Sequence, residues 1–82
     1  MTVSEAGQKA LKFILSELDA GVFILPREVY LQTIAEAQGI TTQNIGSAYD
    51  DYIKKPLELK GIGSKKCGSR VRIQLWRIDS PR

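Results

Sequence analysis

The sequence predicts an α+β fold, a three-helix core followed by a C-terminal β-hairpin, in one domain spanning residues 1–82. Three observations predict it. Apolar residues recur at helical spacing through the first two-thirds of the chain. Residues 70–76, RVRIQLW, then switch to alternation, the mark of a half-buried strand. Between them, residues 31–48, LQTIAEAQGITTQNIGSA, set Ala35, Gly39, Ile45 and Ala48 at the spacing of two helices that meet at a sharp turn.

Helix 1 is expected to start near Thr2 to Ser4 and to end near Asp19. Thr2 and Glu5 have the spacing of a capping box. Ala10, Leu11, Ile14, Leu15 and Leu18 share one face, and Gly21 stands where a C-terminal cap belongs. Residues 22–25, VFIL, are too short for a helix and read as a short strand or extended link. Pro26 suits the first position of helix 2, where its missing N–H costs little. That helix is expected to run to about Gln38, with Tyr30, Ile34, Ala35 and Ala37 inward.

Gly39 closes helix 2, because the tight turn favours a residue that tolerates positive φ. Ala35 is the small side chain at the crossing, and Ile45 is the apolar knob that locks helix 3 against helix 2. Thr41 or Thr42 can cap helix 3 by accepting from the free N–H groups of its first turn. Helix 3, about residues 42–55, carries Ile45, Ala48, Tyr49, Tyr52 and Ile53 on one face. Gln43, Ser47, Asp50 and Lys54 form the opposite stripe. Pro56 should end or kink this helix near Lys55. Leu57 and Leu59 then close the core, and Gly61 and Gly63 mark the exit.

The last segment reads as a hairpin. Residues 62–66 are the weaker strand, and Cys67, Gly68 and Ser69 lie in or near the turn. Residues 70–78 are the stronger strand, with Val71, Ile73 and Leu75 on one side and Arg70, Arg72, Gln74 and Trp76 on the other. Trp76, on the polar side, closes the edge of a small core or meets a second copy. Phe13, beside the main stripe of helix 1, has the same two readings. Residues 79–82 are expected to fray.

Composition narrows the function. Hydrophobic residues make up 43% and charged residues 26%, as in ordinary soluble domains. No apolar run approaches the roughly 18 residues of a membrane span, and no signal pattern opens the chain. An intracellular setting, in cytoplasm and nucleoid or in nucleus, is therefore expected. The single cysteine, Cys67, excludes an internal disulfide. The absence of histidine removes the commonest general base and zinc ligand. No nucleophile–base pair, phosphate loop or metal cluster is legible, so no enzyme, metal or cofactor is expected.

The net charge of +3 is unevenly spread. Residues 1–60 carry six basic and eight acidic side chains, a balance of −2. Residues 61–82 carry six basic side chains and only Asp79, a balance of +5. A positive end on a nearly neutral body points to a polyanion, although solvated surface charge explains the same count.

The order helix, short strand, helix, turn, helix, hairpin resembles the winged helix-turn-helix superfamily over about residues 4–78. The resemblance rests on Ala35, Gly39 and Ile45, the VFILP link, the ELKGIG exit and the KKCGSR wing. It implies that helix 3 enters the major groove of double-stranded DNA, which by position engages Thr41, Thr42, Gln43, Gly46, Ser47 and Asp50, with Lys54 further along the stripe. The side chains suit that task. Gln pairs with adenine through two hydrogen bonds, and Ser and Thr contact bases or phosphate. Gly46 leaves room for close approach. The wing, about residues 63–72, offers Lys65, Lys66, Arg70 and Arg72 to the backbone or minor groove.

Asp50 and Asp51 oppose this reading, because carboxylates repel phosphates. Asp50 can pair with Lys54 or accept from cytosine N4. Two functions stand side by side at this point. One is a small transcriptional regulator or replication-control domain on double-stranded DNA, alone, as a homodimer, or within a larger protein. The other is a protein–protein module of a larger replication or transcription assembly.

Overall fold

Thr2 starts the first helix by a reciprocal cap. Its hydroxyl accepts from the Glu5 N–H at 3.1 Å, and the Glu5 carboxylate accepts from the Thr2 N–H at 3.0 Å. The bond from the Thr2 N–H foremost, and a second from the Thr2 hydroxyl at 3.1 Å, hold the Glu5 carboxyl below its usual range. The computed structural model describes residues 2–68 and 72–78. Ser69, Arg70, Val71 and the tail 79–82 lie outside them.

Helix α1 (Val3–Asp19) buries Ala6, Gly7, Ala10 and Ile14, with Leu11, Leu15 and Leu18 packed partly against the core. Gly7 was not singled out from the sequence, yet the fold depends on its lack of a side chain. A Cβ there would lie 2.5 Å from Tyr52 Cβ and 2.8 Å from Ala48 Cβ. Phe13 meets Phe23 edge-on, 6.0 Å between ring centroids, and so belongs to the core edge of this chain.

The first strand lies later than expected. The link 22–25 does not pair; β1 is Arg27–Tyr30, directly after Pro26, and helix α2 is the shorter Leu31–Gln38. Only Val29 of β1 is buried, and its backbone ladder to a strand far along the chain defines it. Tyr30 is exposed because it ends β1 instead of lying in the helix, and Ala37 is exposed because the buried face of α2 is Leu31, Ile34 and Ala35. Gly39 ends α2 at φ 66°, as the turn requires. Ala35 is 4% exposed and Ile45 is fully buried, so the small residue and the knob meet the expected crossing.

The third helix is broken rather than continuous over 42–55. It comprises α3 (Thr42–Ala48), a π-helical segment (Tyr49–Lys54) and α4 (Lys55–Leu59). Pro56 therefore does not terminate it. A proline ring clashes with the carbonyl four residues back and supplies no N–H. The wider π turn carries the chain past that conflict, and Pro56 falls in the first turn of α4, where no N–H is needed. Leu57 reaches the core, but Leu59 is 89% exposed and does not help to close it.

Strands β2 (Ile62–Cys67) and β3 (Arg72–Arg77) form the hairpin, and the sheet order is β1-β3-β2, antiparallel throughout. Val29 pairs with Ile73, and Ser64 with Leu75, on the buried face. Glu28, Tyr30, Lys65, Arg72, Gln74 and Trp76 fall on the other. Trp76 covers Gly63, its cross-strand partner, where any side chain would collide with the indole. The result is an α+β fold in which helices cover one face of a three-stranded antiparallel sheet. Its most deeply buried side chains are Ile14, Leu31, Ile34, Ile45, Ile53, Leu57, Ile73 and Leu75. Among the described residues no helix is long and apolar enough to cross a membrane.

Candidate functional site

Thr41 sets the start of α3 by its own hydroxyl, which accepts from the Asn44 N–H at 3.2 Å. From there Gln43, Ser47, Asp50 and Lys54 are all exposed, while Ile45, Ala48, Tyr49 and Ile53 are buried behind them. Thr42 is half-buried at the edge. The stripe read from the sequence survives the change from α to π winding. Tyr52, expected on the buried face, is instead 36% exposed.

The expected pairing of Asp50 with Lys54 is not made. Asp51 pairs with Lys55 at 3.5 Å instead, both exposed. The pair that forms keeps the same four-residue spacing, one position further along the chain. Asp50 is left facing solvent with no ion pair among the described residues.

Gly46 is not an open point of approach. It is buried, and its carbonyl accepts from the Lys66 ammonium at 3.3 Å. Lys66 is correspondingly not a free cation of the hairpin. It is half-buried, and its Nζ lies 5.1 Å from the centroid of the Tyr49 ring. Strand alternation is the physical reason: Lys65 and Lys66 point to opposite faces of β2. Lys65 stays exposed, opposite Gln74.

Arg72 does not extend the basic patch as a free charge either. Its guanidinium lies 3.4 Å from the Glu28 carboxylate, which also accepts from Gln74 Nε2 at 3.1 Å. The Glu28 charge, aided by Cys67, raises the Arg72 pKa above its usual value. Arg70 lies outside the described residues.

One contact that the sequence did not reveal holds the site together. The Tyr49 and Ser64 hydroxyls share a buried hydrogen bond of 2.8 Å. Burial raises the Tyr49 pKa, and the bond to Ser64 partly offsets that. Together with the Lys66–Gly46 bond it fastens β2 to the third helix at two points. Ser64 at a core-facing strand position was the available signal. Cys67 is a free, half-buried thiol at the hairpin end. Among the described residues no group of three or more acidic or cysteine side chains could hold a metal ion.

The exposed helical stripe has one capped end and is braced against the hairpin through Ser64 and Lys66, while Lys65 lies on the sheet face turned away from the helices. The stripe itself offers hydrogen-bond donors and acceptors, one lysine and one carboxylate. No family model matches the chain, and neither a curated protein nor a solved structure matches it.

Proposed function

We propose that this chain is a winged helix-turn-helix domain that binds double-stranded DNA, as a small transcriptional regulator or replication-control domain. Gln43, Ser47, Asp50 and Lys54 face the major groove, and Lys65 on the wing meets the backbone or minor groove. The observation that carries the reading is the two-point fastening of β2 to the third helix. It sets an exposed polar stripe and a hairpin in one fixed relation. The mechanism is occupation of a site, with no chemistry. Gln43 supplies the adenine-reading amide, and Ser47 reaches a base edge or phosphate.

A second reading, a protein-binding module, is favoured by one observation. Asp50 is exposed and outside any ion pair among the described residues, whereas Lys66 and Arg72 are engaged within the fold. A titration of a selected duplex and a scrambled duplex separates the two. On the DNA reading Gln43→Ala weakens preference for the selected site by about 1–3 kcal/mol and spares the scrambled one. Asp50→Asn tightens both duplexes if the carboxylate only repels, and loses discrimination at one base pair if it reads cytosine. Parent-like behaviour of both variants on both duplexes would favour the protein-binding module.

A further inference from the structure

The largest exposed aliphatic side chains lie away from the hairpin turn, and the DNA reading does not use them. Leu59 is 89% exposed, Ile24 75% and Val22 56%. Ile24 lies on a groove of about 410 Å³ between the α1–β1 link and the open end of the hairpin. Phe23 and Ile62 are the buried apolar surface within it. Leu59 directly precedes Lys60 on the groove's rim. Strand β2 starts here at Ile62 and reaches the hairpin turn about 20 Å away, at roughly 3.3 Å per residue. Ile24 is the strongly exposed aliphatic side chain of the groove, and Leu18, Phe23, Leu25 and Ile62 line it beside Ile24.

Charge around the groove says what covers it. Lys60 and Arg77 line it against a single carboxylate, Asp19. The Arg27 guanidinium adds a third cation, 4.6 Å above the Phe23 ring. Two copies of this surface would face each other with like charge. We propose that the groove docks a segment of a partner protein that carries large apolar side chains flanked by carboxylates. The apolar residues enter beside Ile24, and the acids meet Lys60 and Arg77.

A random peptide library displayed on phage and selected on the full chain tests this. The selected peptides should share an aliphatic or aromatic residue next to Asp or Glu. As labelled synthetic peptides they should bind about tenfold or more weakly to Ile24→Asp, and likewise to the double variant Lys60→Glu, Arg77→Glu. Ile24 is largely exposed, so Ile24→Asp should melt like the parent and loss of binding cannot be put down to unfolding. No enrichment, a consensus free of acidic residues, or binding indifferent to Ile24→Asp overturns the proposal. A dimer in sedimentation that Ile24→Asp dissolves also overturns it, and assigns the groove to a second copy.

Discussion

The Lys66 ammonium donates to the Gly46 carbonyl at 3.3 Å, across 20 residues of sequence, and the same Nζ lies over the Tyr49 ring. A lysine read as a surface cation thus acts as a brace between hairpin and helix. Lys66→Met keeps the apolar stem and removes the charge. It should cost about 0.5–1.5 kcal/mol in urea unfolding, since the Gly46 carbonyl loses this donor and keeps the Tyr49 N–H. Lys65→Met should stay within about 0.5 kcal/mol. In duplex binding the effects should reverse: Lys65→Met lowers the salt slope by about one, and Lys66→Met leaves it unchanged. Equal slopes for the two variants would rule out this division of labour.

Gly7 permits the close approach of α1 to the third helix. Alanine is the better helix former by about 1 kcal/mol, so on propensity alone Gly7→Ala should stabilise. The collision with the Tyr52 and Ala48 Cβ atoms reverses the sign. A net loss of about 1–2 kcal/mol is expected in thermal or urea unfolding. A stabilised variant would mean that the helices separate without cost.

Gly39 tests the turn by backbone alone. Its φ is 66°, yet a Cβ at this position would meet nothing within 4 Å. Gly39→Ala should therefore cost about 1–2 kcal/mol through the left-handed conformation itself. Gly39→Asn should recover part of that, since asparagine tolerates the region better. Ala35→Leu should also destabilise, by overpacking the crossing about 1–3 kcal/mol. Parent-like unfolding midpoints for Gly39→Ala and Ala35→Leu would refute the helix crossing.

Tyr49 links stability to alkaline pH. Burial raises its pKa above the ordinary value of 10.0, and the Asp50 and Glu58 charges add to the rise. The folded chain thus holds the phenolic proton more tightly than the unfolded chain. Its stabilising contribution is whole below about pH 10 and is lost as pH climbs through the raised folded value. Tyr49→Phe should remove this alkaline loss. At neutral pH it should cost about 1 kcal/mol, because the Ser64 hydroxyl loses its buried partner. Unfolding curves from neutral pH to beyond the tyrosine range check both limbs.

Local chemistry made much of the fold legible. The Thr2–Glu5 cap, the positive φ of Gly39 and the Thr41 cap each involve residues within a few positions of one another. Helical spacing marked Ile45, Ala48, Tyr49, Tyr52 and Ile53 as the buried face, where all but Tyr52 are buried, and Gln43, Ser47, Asp50 and Lys54 as the exposed one. Alternation placed Ile73 and Leu75 in the core. These patterns depend on φ, ψ and a fixed rotation per residue, which neighbouring side chains largely decide.

Long-range pairing decided the rest. Arg27–Tyr30 is a strand because it pairs with Arg72–Leu75, and no property of four residues, REVY, requires that partner. The same register sets Arg72 beside Glu28 and removes it from the free positive charge. Packing of β2 on the third helix turns Lys66 inward and joins Tyr49 to Ser64, while Lys65, its neighbour in sequence, stays in solvent. Charge is counted along a chain, but whether a charge is available depends on which distant groups the sheet and helices bring within a few ångströms of it.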